Sequence, residues 1–370
     1  MKILIVGGGI AGLAMAKALE LKGHSPVLVE RRPGEQPGGT GLFLPGNAAR
    51  SLDALGVLGA VRNAAQPVST QRILDRNGRQ LTVTRTDDFW GPCGPCLSLP
   101  RAALHKILSH ALKSTLIVRG VSVNVIKQGL QRCEVTFSNE KVSAYDLVIG
   151  ADGIDSTVRR SLFPDASPSY VGNICWRFIT QNTSHIRGWT AMLGKGRTLL
   201  AIPVTETDVY VYADLAISEQ ELPTLSQRPS LKEIYNGFSA PLYSLIEQLP
   251  ENANLHFSAL RQLTLDKWYQ GRAVLIGDAA HASSPSMAEG AGMAIEDALV
   301  LAETIANGGE VSSVFDAFVQ RRKARVEWVQ KQCAARDKMR LLPIPVRNGV
   351  LKLFGHALYT KSYSPLLESI

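Results

Sequence analysis

The first thirty residues carry a pattern that few folds accommodate. Lys2 to Val6 is a short apolar run with β-branched side chains, and Gly7-Gly8-Gly9-Ile10-Ala11-Gly12 follows it directly. Leu13 to Lys22 has helical composition, Gly23 ends it, and Pro26-Val27-Leu28-Val29-Glu30 is strand-like again. The spacing predicts strand, tight turn, helix and strand, with Gly7, Gly9 and Gly12 placed as in a dinucleotide-binding unit. Gly7 permits the turn, Gly9 lets a pyrophosphate approach the backbone, and Gly12 lets the helix lie close to the strand. The free N–H groups and dipole at the helix start favour the pyrophosphate. Glu30, ending the second strand, suits two ribose hydroxyls and repels a 2′-phosphate. NAD and FAD fit this unit equally.

The length, 370 residues, suits two domains or one large α/β body with an inserted sheet. No apolar run approaches the ~18 residues of a membrane span, and the start lacks the pattern of a signal peptide. Five scattered cysteines suit a reducing compartment, and a cytoplasmic location is expected. Cys93-Gly94-Pro95-Cys96 has the spacing of a redox dithiol, but extended chain ending at Pro100 follows it, without the helix that would activate the first thiol. No second Cys or His pair stands at zinc spacing, so no metal is expected. The net charge of +8 is concentrated: Val319 to Lys361 holds eleven basic and two acidic residues. With only Trp328, Phe354 and Tyr359 as aromatic residues, this run does not read as a nucleic-acid stacking surface.

Two further segments share the strand-into-turn pattern. Asp146 to Gly150 leads into Ala151-Asp152-Gly153, and Ile154 to Arg160 begins a helix. Gly271 to Ile276 leads into Gly277-Asp278-Ala279-Ala280-His281, followed by Pro285 and then by Glu289-Gly290-Ala291-Gly292-Met293 at the start of a helix. Between Ala166 and Asp266 the pattern turns to short strands: Ile174–Ile179, Thr198–Ile202 and Val209–Ala213. Ser69 to Thr86 adds strand material, and an antiparallel sheet built from both stretches is expected. Ser230 to Leu249 reads as one helix. Trp176, Leu200, Ile202, Tyr210 and Tyr212 form a candidate apolar, aromatic-lined substrate wall, with Trp176 equally readable as a core residue; a one-residue phase error would turn such a set outward.

On the glycine turn with Glu30, on Asp152-Gly153 with Ser156 and Arg159, on Gly277-Asp278 with Pro285 and Glu296-Asp297-Ala298, and on Pro100-Arg101 with Leu104, the chain resembles the FAD-dependent aromatic hydroxylases, the single-component monooxygenases related to para-hydroxybenzoate hydroxylase. The resemblance implies an α/β fold: a Rossmann-like FAD-binding domain (residues 1–68, 101–165 and 266–335), an inserted antiparallel-sheet substrate domain (69–100 and 166–265) and a C-terminal helical tail (336–370). It implies FAD as cofactor, NADH or NADPH as co-substrate, and transfer of oxygen from O2 to a small aromatic substrate through a C4a-hydroperoxyflavin. The cofactor contacts it implies are Gly7, Gly9, Ala11, Gly12, Glu30, Arg31, Arg101, Val123, Asp152, Asp278, Gly290, Ala291 and Gly292, with Pro285 as active-site wall. No side chain is assigned a catalytic step, since the flavin carries the chemistry. Ala288 and Glu289 stand where the family usually has Gly-Gln. Ile174-Cys175-Trp176-Arg177, the Ala288-Glu289-Gly290 variant and Arg325-Val326-Glu327-Trp328 point within the family toward quinolone and salicylate hydroxylases, hence toward a bicyclic or alkylated phenolic ring. Another flavin oxidoreductase (a halogenase or prenyl reductase) and a non-catalytic flavin-binding partner are the alternatives; the chain lacks the halogenases' Trp-x-Trp. A monomer or homodimer is expected. The tail helix expected at Val346–Tyr359 either packs across the FAD domain or makes peripheral membrane contact.

Overall fold

The computed structural model describes residues 1–34, 40–226, 230–250, 253 and 255–370. Its first layer is a six-stranded sheet ordered Tyr269–Gln270, Ala273–Leu275, Leu147–Gly150, Ile3–Val6, Val27–Glu30 and Leu116–Arg119. All neighbours are parallel except the Tyr269–Gln270 edge. Ile3 to Val6 and Leu147 to Gly150 are buried throughout, as strands covered on both faces must be. The helices Ile10–Leu21 and Gly290–Asn307 pack on each other against this sheet, and their buried alanines and glycines allow close approach. The three strands Ile3–Val6, Leu147–Gly150 and Ala273–Leu275 lie adjacent, so the three turns that follow them converge at one end, where such sheets bind ligands.

A second sheet of seven strands is ordered His256–Gln262, Ser169–Gln181, Asp208–Ala216, Arg197–Pro203, Trp189–Leu193, Thr70–Asp75 and Gln80–Arg85. It joins the two expected stretches, but the join, between Trp189–Leu193 and Thr70–Asp75, is parallel rather than antiparallel. Alternation gives the sheet two faces. One carries Trp176, Phe178, Leu199, Val209 and Val211 into a core closed by the helices Leu231–Ile234 and Leu242–Glu247. The other faces the parallel-sheet body. The single helix expected over Ser230–Leu249 is therefore two short ones, separated by a turn with Gly237 at φ +85 and by Pro241.

The C-terminal region also departs from expectation. The helix Val311–Arg340 runs through the expected 335/336 boundary and stops before Pro343. The final helix, Ile344–Tyr363, lies on the strand Gln80–Arg85 of the second sheet, and its last turns, at Tyr359 and Tyr363, join the core of the parallel-sheet body. Arg347, Leu351, Gly355 and Tyr359 form its buried face, and the Trp90 indole donates to the Tyr359 hydroxyl at 2.8 Å. Several cations of the basic run point inward: Arg322 and Arg347 are buried, and Arg325, Arg336 and Arg340 are bonded to neighbouring groups.

Candidate active site

A cleft of about 1390 Å³ runs between the two bodies, from Glu30, Arg31 and Val123 at one end to Leu351 and Leu358 of the final helix at the other. At the nucleotide end Gly7 has φ +108, and a Cβ there would meet the Ala151 carbonyl at 2.5 Å. A Cβ on Gly12 would fall 1.8 Å from the Gly7 carbonyl oxygen, whereas one on Gly9 would meet nothing within 4 Å. Gly7 and Gly12 are thus required by packing, and Gly9 borders open cleft. The Gly8 N–H donates to Glu30 Oε2 at 2.7 Å and the Arg32 N–H to Oε1 at 2.9 Å, which fixes the carboxylate and leaves each oxygen a further acceptor position. His105 Nε2 lies 2.8 Å from the Gly8 carbonyl and pins the same turn; the sequence reading gave His105 no role.

The other two turns complete the cradle. Asp152 Oδ2 accepts the Thr157 and Val158 N–H groups at 2.7 and 3.2 Å, while its buried Oδ1 has no partner among the described residues. Burial raises the Asp152 carboxyl, against the pull of the Ser156 hydroxyl and the helix N–H groups. Asp278 projects into the cleft at the start of its short helix, and Gly277 (φ +58) brings that turn against Ala11 and Ala294. Arg101 lines the same wall; burial lowers its guanidinium and Asp278 opposes this. Pro285 opens a 3-10 turn facing the cleft, and Gly290 and Ala291 line it as well. The first hydrogen bond of the helix Gly290–Asn307 runs from the Met293 N–H to the Glu289 carbonyl, so the N–H groups of Gly290, Ala291 and Gly292 precede the ladder and offer an anion site. Gly292 itself packs under Asn47 and Ala48 and does not border the cleft.

The two departures from the family pattern have distinct geometries. Ala288 is left-handed (φ 54, ψ 27), a conformation costing a Cβ-bearing residue about 1–2 kcal/mol. Glu289 is buried; Asn47 Nδ2 donates to its Oε2 at 3.0 Å, and its Oε1 has no partner. Burial pushes its carboxyl up to about 8, so it is chiefly protonated at pH 7. Behind it, fully buried Arg322 binds Glu296 Oε2 at 2.7 Å and Asp297 Oδ1 at 2.8 Å. His281 Nε2 meets Asp297 Oδ2 at 2.6 Å and its ring lies against Trp268, so this histidine is structural. Burial works against the Asp297 carboxylate, yet His281 and Arg322 hold it at about 2.

On the sheet side Leu200, Ile202, Tyr210 and Tyr212 line the cleft as expected. Trp176 does not: it lies on the opposite face, against Phe257. The period of two that sends Leu200 and Tyr212 inward turns its neighbours Cys175 and Arg177 toward the cleft side instead. Arg177 Nη2 donates to the Ser258 hydroxyl at 2.8 Å, and its buried Nε has no partner among the described residues. Arg177, His256, Ser258 and Arg340 are cleft residues that went unassigned; cross-strand register with Tyr212 would have found Arg177. Cys93 and Cys96 are free thiols raised by burial, and no helix follows Cys93.

Comparison with known proteins accords with this geometry. Residues 1–332 match the FAD binding domain family. The 2-heptyl-3-hydroxy-4(1H)-quinolone synthase of Pseudomonas aeruginosa (strain UCBPP-PA14) is 34% identical over 340 residues, covering 90% of this chain and 87% of the relative. The aurachin C monooxygenase/isomerase of Stigmatella aurantiaca is 30% identical over 330 residues, covering 88% and 85%. In fold, the chain is similar to Klebsiella pneumoniae HpxO complexed with FAD and uric acid, with TM-score 0.87 and 20% identity over 99% of this chain and 97% of that one. The open space at Gly9, the acceptor at Glu30, the unpartnered Asp152 Oδ1 and the unladdered N–H groups at Gly290 fit an extended FAD spanning the three turns. With a cradle of this shape and a match over most of its length, the chain belongs to the FAD binding domain family, among its FAD-dependent monooxygenases.

Proposed function

We propose that this enzyme hydroxylates an apolar heteroaromatic ring of the 4-quinolone type, with NADH or NADPH as electron donor and O2 as oxygen source. The observation that carries the reading is the single cleft that joins the three-turn cradle to the Tyr210/Tyr212/Leu200 face of the sheet. Bound FAD supplies electron transfer from nicotinamide to oxygen. The protein's own task is to bind, orient and shield. Glu30, Asp278 and Arg101 hold the dinucleotide, and the N–H groups of Gly290 and Ala291 favour negative charge on the nearest part of the cofactor. Pro285 and the sheet residues wall off water. Burial raises the Tyr210 and Tyr212 phenols, so both stay neutral, and Arg177 presents an uncommitted N–H beside them. The likeness of the alkylquinolone relative supports the choice of ring. The test is O2 consumption by the yellow holoenzyme with NADH and NADPH in parallel. A 2-alkyl-4-quinolone is expected to speed nicotinamide oxidation and to yield a hydroxylated product. Bound FAD with no stimulation across quinolones, phenols and related heteroaromatics overturns the reading.

We also infer peripheral contact with an anionic bilayer through the outward face of the final helix. Val346, Leu353 and Phe354 are exposed there, together with Lys352 and Lys361.

A further inference from the structure

We propose that the cleft includes a blind apolar slot for an unbranched aliphatic chain carried by the ring substrate, running along the second sheet from Tyr212 to the final helix. The proposal rests on the ring-hydroxylation reading. Cross-strand register places Arg177, Tyr212, Leu200, Ala191, Ile73 and Thr82 opposite one another in a single row across five interstrand contacts. All six line the cleft. The row begins with a cation and a phenol, beside the cofactor cradle, is aliphatic at Leu200, Ala191 and Ile73, and ends at Thr82. From the strand of Tyr212 to that of Ile73 are three interstrand steps of about 4.8 Å, on the order of 14 Å of sheet. Ala191, standing between the larger Leu200 and Ile73, leaves a short furrow at its own position in this row.

The far end is closed. Leu81, Leu193 and Leu351 form a buried cluster with Ile73 and Met339 packed on it. Gly355 presses the helix onto the sheet so tightly that a Cβ would meet Thr82 Cβ at 2.7 Å. The one arginine bonded at this end is engaged, Arg347 donating to the Leu193 and Gly194 carbonyls, and Arg340, beside Tyr212 at the start of the row, is paired with Asp214 and Asp337. The end is therefore built for hydrocarbon, with its cation tied to protein acceptors rather than held out for a polar tail.

The test uses the FAD-loaded enzyme and two probe series: 4-quinolones bearing methyl, propyl, pentyl, heptyl or nonyl at C2, and n-alkanols of the same lengths. Quinolone binding is read from the flavin absorbance change and alkanol binding by calorimetry. Each added methylene is expected to tighten binding roughly fourfold until the slot is full. Ala191→Phe, which fills the furrow, is expected to collapse the heptyl-to-methyl affinity ratio at least tenfold. Leu351→Ala, which opens the blind end, moves the plateau to a longer chain and serves if the first variant does not fold. Affinity independent of chain length, or a length dependence that neither variant alters, overturns the slot. Length-dependent binding without quinolone turnover keeps the slot and sinks the hydroxylation reading. Turnover indifferent to chain length does the reverse.

Discussion

Gly9 and Gly12 are both motif glycines, but for different physical reasons, and substitution separates them. A Cβ on Gly12 collides with backbone at 1.8 Å, whereas one on Gly9 enters empty cleft. Gly9→Ala is therefore expected to leave circular dichroism and apo-protein melting unchanged while weakening FAD binding at least tenfold; Gly12→Ala damages the fold itself. Equal loss of stability in both variants would contradict the assignment of Gly9 to the pyrophosphate. Glu289 makes a second prediction. Its folded carboxyl titrates at about 8 against an ordinary value of 4.5, raised by burial and by the nearby Glu296. A raised folded pKa stabilises fully below the unfolded value, and the contribution is lost as pH rises through the folded one. Between pH 6 and 9 the wild type should lose on the order of a few kcal/mol that Glu289→Gln retains, as read by urea unfolding at each pH. Parallel pH profiles would show that Glu289 is already ionised. The substitution for Gln was visible in the sequence; its protonation was not, because that depends on the Asn47 contact across the fold.

At the level of elements, the helix Gly290–Asn307 must present its first turn to the cofactor, and its position is set from behind by Arg322. That side chain is fully buried between Glu296 and Asp297, and Arg325 adds a second pair to Glu296. Removing the cation leaves two buried carboxylates under-compensated, a loss of about 3–5 kcal/mol. Arg322→Ala should therefore lower stability by that order and weaken FAD binding. Arg322→Lys should recover only part, since an ammonium lacks the fork that meets both acids. Unchanged flavin content in Arg322→Ala would show that the helix start is held by packing alone. The Glu-Asp pair was legible as a motif, but its cation lies 25 residues away in sequence from Asp297 and only tertiary packing joins them. The strands around Leu200 and Tyr212 were legible from alternation, but Trp176 stayed open between core and pocket wall, because a large aromatic side chain suits either face and only its register in the sheet decides it. The Ser230–Leu249 stretch failed for a local reason: Gly237 and Pro241 interrupt an otherwise helical pattern.

Across the whole molecule, the basic C-terminal run resolves into two populations that composition cannot separate. Arg322, Arg325, Arg336, Arg340 and Arg347 act as internal ties, with the last two near the sheet that the proposed slot follows. Lys352 and Lys361 remain outside, on the same helix as Leu353, which is 77% exposed, and Phe354, 56% exposed, and away from its buried Leu351/Gly355 side. No helix among the described residues is long and apolar enough to cross a membrane, so the contact proposed for this face is peripheral. Insertion of Leu353 and Phe354 would contribute about 1.5–3 kcal/mol each at full burial, and each lysine about 1 kcal/mol near an anionic surface. The sum supports reversible, salt-sensitive binding. The full-length protein should sediment with phosphatidylglycerol-containing vesicles, less with pure phosphatidylcholine, and should be released as salt shortens the Debye length. Phe354→Asp removes apolar area and adds the wrong charge, so it should abolish sedimentation without disturbing the Leu351/Gly355 face that seats the helix. Retention of that variant on anionic vesicles, or equal binding to both lipid mixtures, would exclude this face as the contact.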